Sequence, residues 1–193
     1  MTSKELKKPR PGENAPKHRP AMSDEGLDPT HPVVARDEYG QMAAQGNILH
    51  ERLHDWLTLP YFSKQPPKST GRELFNLNIL GDLSREHSED VLATLTELSA
   101  CSISNAVKSH GYRDGELLIC GGGLHNHFLL KRIQHHLPQA DIKSTEKAGI
   151  HPDWLEAMAF AWLAWRTDQH LSGNAPAVTG ASGERILGGI YPA

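Results

Sequence analysis

The chain has 193 residues, of which 38% are apolar, with a formal charge of −3, a pI near 6.4 and a mean hydropathy of −0.50. No stretch approaches the ~18 consecutive apolar residues that span a bilayer, the charged N-terminus leads into no apolar h-region, and the charge balance offers no basic face for nucleic acid, so the expectation is a soluble cytoplasmic protein with neither membrane nor nucleic acid as partner. Cys101 and Cys120 are the only cysteines, which excludes a disulfide framework and suits a reducing compartment.

Residues 1–36 are rich in proline and charge and lack apolar periodicity. Such a segment buries too little surface to offset the entropy of ordering, so it reads as a disordered arm, and Met22 is an equally good start. From Asp37 the pattern becomes globular. Ile48, Leu49, Leu53, Trp56 and Leu57 share one face of a helix expected over "QGNILHERLHDWL". The following "PYFSKQPPKSTGRELFN" reads as a loop, because Pro66-Pro67 forbids helix until Ser69 or Thr70 caps a new turn. Lys68, Ser69, Thr70, Gly71 and Arg72 in it form a compact polar stretch that suits either a ligand or the anchoring of a domain edge.

"SEDVLATLTELSACSISNAVKSHG" is the clearest helix, with Ser88 as N-cap, Glu89 and Asp90 in the first turn, and Gly111 as the stop. Its apolar stripe is Val91, Leu92, Leu95, Leu98, Ile103, Ala106 and Val107. "ELLIC" is a continuous apolar run that predicts a strand buried on both faces. A helix over "HNHFLLKRIQHHL" ends at Pro138, "ADIKST" is a second strand, and "PDWLEAMAFAWLAWRTDQH" is a long helix ending near Gly173. This alternation predicts an α/β domain with a right-handed crossover and a parallel strand pair. Trp154, Trp162 and Trp165 are expected in the core.

Gly121, Gly122 and Gly123 stand at the carboxyl end of the first strand, where open α/β sheets bind ligands. They form no P-loop, since no Lys-Ser/Thr pair follows and the G-x-G-x-x-G spacing is absent. Two readings stand side by side: a tight strand-to-helix turn, or close approach of a flat group such as a base and ribose. His125, His127, His135 and His136 have no Asp, Glu or Cys beside them at ligand spacing, so they read as solvated surface residues and no metal site is expected. Glu156 follows Asp153 by three residues, which allows a capping box; the alternative is a carboxylate at a helix N-terminus that accepts sugar hydroxyls.

Together, "PYFSKQPPKSTGRELFN", "LLICGGGLHNHFLLKRI", "AGIHPDWLEAMAFAWLAWR" and "GNAPAVTGASGERILGGIYP" resemble, in order, the C-terminal part of anhydro-N-acetylmuramic acid kinases, over residues 37–193. The match is weakest at "RDEYGQMAAQG", where Tyr39 and Met42 replace the family's Asp and Trp. The resemblance implies a bacterial cell-wall recycling enzyme with a ribonuclease H-like, actin-like ATPase fold of the sugar kinase superfamily. This chain would then be its C-terminal lobe, helix-rich with a small parallel sheet. Such enzymes use ATP and Mg²⁺ to phosphorylate 1,6-anhydro-N-acetylmuramic acid while water opens the anhydro ring. By resemblance, Gly121, Gly122 and Gly123 lie on the adenosine side of the cleft, Asn126 opens the following helix, and Glu156 contacts the sugar. The Lys68–Arg72 stretch is a family signature without an assigned role.

The family's phosphate-gripping G-T-S-x-D-G turn and its D-T-G-P-G-N segment, whose Asp activates water, do not occur here. "MSDEGLDP" echoes the first only by chance, since an Asp-Glu pair would repel a triphosphate. No catalytic residue is therefore assigned, and the chain is expected to have little or no kinase activity alone. The alternatives are a non-catalytic fragment, one half of a split kinase that needs a separate N-terminal half or a second copy, and a stand-alone nucleotide-binding regulator.

Overall fold

In the computed structural model residues 37–191 are described, and they carry six α-helices, two strands and several 3-10 turns. The arm expected at residues 1–36 lies outside the described residues. The first helix, α1 (His50–Leu57), starts later than the hydrophobic spacing predicts, because the chain before it is held extended by another element. The Asn47 N–H donates to Asp90 Oδ1 (2.6 Å) and the Leu49 N–H to Thr94 Oγ1 (2.9 Å). Gly46 passes so close to the backbone there that a Cβ on it would lie 2.0 Å from the Glu89 carbonyl oxygen. Asp90, expected to act on the helix dipole, thus also anchors a neighbouring segment.

A single turn, α2 (Pro60–Ser63), precedes the loop that carries Lys68–Arg72. Neither Ser69 nor Thr70 caps a helix; Asn76 does, accepting the Asn78 N–H at the head of the 3-10 turn Leu77–Leu80. The long helix α3 (Ser88–Ser109) starts one residue earlier than expected, with Ser88 inside it and His87 at the cap, without a side-chain cap bond. Its buried residues are Val91, Ala93, Thr94, Glu97, Leu98, Ala100 and Ser104. Val91 and Leu98 belong to the predicted stripe, whereas Ile103 and Ala106 are exposed. The small and polar members let α1 and a second helix approach closely.

Strands β1 (Gly115–Ile119) and β2 (Ala140–Ser144) pair in parallel, Gly115 opposite Ala140 and Ile119 opposite Ser144, with α4 (His127–His136) between them in sequence. Ala100 of α3, Ile133 and Leu137 at the end of α4, and Ala140 form the core, joined by Val107, Leu117, Ile119 and Ile142. The expectation that β1 is buried on both faces fails. Leu117 and Ile119 face the helices, while Leu118 on the opposite face is 39% exposed, because no layer among the described residues covers that side.

A 3-10 turn, Pro152–Trp154, leads into α5 (Leu155–Asp168), and a last turn, α6 (Pro176–Thr179), lies near the C-terminus. No residue of α5 is buried. Trp154 and Phe160 are each 65% exposed and Trp162 51%, so the tryptophans expected in the core stand on the surface. The apolar residues recur all round the helix, and the described residues provide no second surface to cover them. No helix among the described residues is long and apolar enough to cross a membrane. The architecture is thus a helix-rich α/β arrangement around a two-stranded parallel sheet.

Candidate functional site

β1 runs out into the three glycines, and the first of them needs its missing side chain. Gly121 has φ +73°, and its N–H donates to the Pro152 carbonyl (3.0 Å), which ties the end of β1 to the entry of α5. The other two glycines answer to no such demand. A Cβ on Gly122 would meet nothing within 4 Å, and one on Gly123 only the Leu129 side chain at 3.8 Å. Both line a hollow of about 440 Å³ that opens between the glycine turn and residues 37–39.

Asn126 also lines that hollow and caps α4, its Oδ1 accepting the Leu129 N–H at 2.9 Å. Gly40 (φ +76°) closes over it so tightly that a Cβ there would fall 2.1 Å from Asn126 Oδ1. Asp37 folds its carboxylate back onto the Met42 and Ala43 N–H groups (2.8 and 3.0 Å). Tyr39 takes a left-handed φ of 60°, stands half out of the surface, and stacks on His127 with ring centroids 6.2 Å apart. Sequence reading missed Tyr39 as a wall of the hollow. The substitution at that position was visible, but the positive φ that turns the ring outward was not. Among the described residues the lining carries two carboxylates, Asp37 and Glu38, and no lysine or arginine.

Glu156 lies in the first turn of α5, exposed, without a side-chain hydrogen bond among the described residues. The capping box with Asp153 does not form: Trp154 stands at the cap of α5 without a side-chain bond, and Asp153 lies in the preceding 3-10 turn, where its N–H donates to His151 Nδ1 (3.3 Å). His125 Nε2 lies 3.4 Å from Asp153 Oδ1. The Pro152 carbonyl holds the start of α5 beside the glycine turn, so Glu156 is carried on an element attached to the hollow. The Lys68–Arg72 stretch is not brought to it. All five residues are exposed, and Lys68 reaches back to the Tyr61 carbonyl (3.2 Å) and over the Tyr61 ring (4.8 Å). Lys68 lines a separate hollow against α3 of about 540 Å³, which shares no described residue with the first.

One histidine departs from the surface reading. His136 Nε2 lies 2.8 Å from Oε1 of Glu97, a carboxylate on α3 that is only 4% exposed. Arg132 donates to both oxygens of that carboxylate, and Cys101 lies one turn further along α3. Burial pushes the Glu97 carboxyl up, and the hydrogen bonds from Arg132 and His136 more than reverse this, leaving it below its ordinary range. Burial and then the Glu97 charge raise the Cys101 thiol. A spacing test along the sequence could not find this group, because its members come from two helices.

The family model for anhydro-N-acetylmuramic acid kinase matches residues 30–193. The chain belongs to the anhydro-N-acetylmuramic acid kinase family. A relative of that name from Hahella chejuensis is 52% identical over 161 residues, covering 81% of this chain and 43% of the relative. One from Nitrosomonas europaea is 45% identical over 165 residues (84% and 46%), and one from Pseudomonas syringae pv. tomato is 48% identical over 161 (81% and 44%). The chain therefore spans less than half the length of these anhydro-N-acetylmuramic acid kinases, as expected of a C-terminal part.

Proposed function

We propose that residues 37–193, following the arm at 1–36, supply the adenosine- and sugar-facing wall of an anhydro-N-acetylmuramic acid kinase of the actin-like ATPase type. In this reading the chain works in a bacterial cytoplasm and catalyses little or no phosphoryl transfer by itself. The observation that carries the proposal is the pair Gly122 and Gly123, which line a hollow and face open space where side chains would stand. A turn alone accounts for Gly121 and leaves these two unexplained. A purine and ribose lying against bare backbone account for them. Gly121 shapes the turn, Asn126 fixes the start of α4 under the nucleoside, and the exposed Glu156 accepts hydroxyls of the anhydro amino sugar.

The residues present fit only one end of ATP. Among the described residues the hollow carries Asp37 and Glu38 and no lysine or arginine, which disfavours a triphosphate, and the Asp37 oxygens are taken by two backbone N–H groups. Phosphates and Mg²⁺ would be held by polypeptide outside this sequence. Phosphoryl transfer is mostly positioning and charge stabilisation, so a wall without that grip does not catalyse it. In an ADP-release assay with ATP, Mg²⁺ and the anhydro sugar, the chain should turn over more slowly than ~0.1 s⁻¹, an order below the usual lower end for enzymes. Faster turnover would overturn this reading.

A second reading, one half of a split kinase, rests on α5. An apolar helix with no buried residue needs a partner, and a polypeptide carrying G-T-S-x-D-G and D-T-G-P-G-N segments is the one that would complete the cleft. Mixing the two should shift the exposed tryptophan emission to the blue and raise ADP release; neither change would remove this reading.

A further inference from the structure

We propose that Glu97, Cys101 and His136 form a binding site for one Zn²⁺ ion that clamps α3 to the end of α4. The three candidate ligand atoms already converge. Glu97 Oε1 and His136 Nε2 are 2.8 Å apart, Cys101 Sγ and His136 Nε2 3.4 Å, and Cys101 Sγ and Glu97 Oε1 3.9 Å. Around a tetrahedral zinc with bonds of 2.0–2.3 Å, neighbouring ligand atoms lie ~3.3–3.7 Å apart. Adjustments of about half an ångström therefore bring all three to bonding distance. Arg132 also reaches this group, through the two nitrogens that hold the Glu97 carboxylate, and the Lys108 charge acts on Cys101.

The elements favour the arrangement. Glu97 and Cys101 are four apart on α3 and so project from one face, while His136 stands in the last turn of α4, the helix packed against it. Arg132 Nε holds the second oxygen, Glu97 Oε2, and Arg132 Nη2 takes one lone pair of Oε1 (2.9 Å), leaving the other for metal. A carboxylate fixed in this way is an oriented ligand. Carboxylate, imidazole and thiolate are the donor set zinc accepts, and with three protein ligands water takes the fourth position. Binding releases the thiol proton of Cys101 to solvent and needs the His136 proton on Nδ1. The cluster, neutral with Glu97 paired to Arg132, thus gains one positive charge.

The test uses the full chain freed of metal, titrated with Zn²⁺ and, separately, Co²⁺. The expected result is one ion per chain with a dissociation constant below ~10 μM, and with Co²⁺ a thiolate charge-transfer band in the near ultraviolet. Cys101→Ser should abolish the band and weaken Zn²⁺ binding at least ~10-fold, and His136→Gln should weaken it by a similar factor. Cys120→Ser should leave both unchanged, which separates this site from the second thiol. Circular dichroism of each variant checks folding, and the wild-type band and proton release stand even if a variant unfolds. Weaker or non-stoichiometric binding, a band that survives Cys101→Ser, or one lost in Cys120→Ser would overturn the proposal.

Discussion

Arg132→Met removes the main partner of a nearly buried carboxylate. Glu97 is 4% exposed, and Arg132 supplies hydrogen bonds to both its oxygens. Breaking a buried pair from one side costs ~3–5 kcal/mol, because a charge is left in low dielectric. His136 remains 2.8 Å from Oε1, so the low end, about 3 kcal/mol, is expected at pH 7. With a urea m-value of ~2 kcal/mol per M, the unfolding midpoint should fall by ~1.5 M. The assay is urea unfolding followed by circular dichroism, with a chelator present. In the wild type the Glu97 pKa is depressed in the fold, so its contribution is present above the unfolded carboxyl value and is lost as pH falls through the folded one. Without Arg132 burial dominates and raises that pKa. The penalty should then shrink as pH falls from 7 toward 5 and the carboxyl takes up a proton. A loss under ~0.5 kcal/mol at pH 7, or the same loss at both pH values, would refute the reasoning.

Ile133→Ala empties the centre of the core, where the side chain is 2% exposed, and should cost ~3 kcal/mol in the same assay. Gly46→Ala places a methyl group against the Glu89 carbonyl and should cost about 2 kcal/mol, with loss of amide protection at Asn47 and Leu49. Gly122→Val should leave stability within ~0.5 kcal/mol, since open space surrounds that Cβ, yet weaken adenosine-nucleotide binding at least ~10-fold by calorimetry. Trp162→Ser on α5 should likewise leave the isolated chain's stability nearly unchanged, because the ring is 51% exposed; a loss above ~2 kcal/mol would mean that the helix is covered.

The long helix, the two strands, their parallel pairing and the helix between them were legible in the sequence, because periodicity and turn residues act locally. What failed depended on partners. Trp154, Trp162 and Trp165 carry a core signature, and whether a core surrounds them is decided by a surface that α5 does not find among the described residues. β1 reads as doubly buried for the same reason. The helix starts slipped where a distant group took over a local task, as when Asp90 and Thr94 captured the chain before α1. The glycine turn and Asn126 were legible, as was the position of Glu156 at a helix start. Tyr39 and the Glu97 cluster were not, because a positive φ and a cross-helix contact leave no mark in residue spacing.

Among the described residues, β1 and β2 have only each other. Successive amides of a strand point to opposite sides, so in each strand every second N–H turns away from the pair. Protection against deuterium should therefore alternate along Gly115–Ile119 and Ala140–Ser144, and the slowest-exchanging amides should belong to α3 and α4, which makes that helix pair the last part of the molecule to come apart.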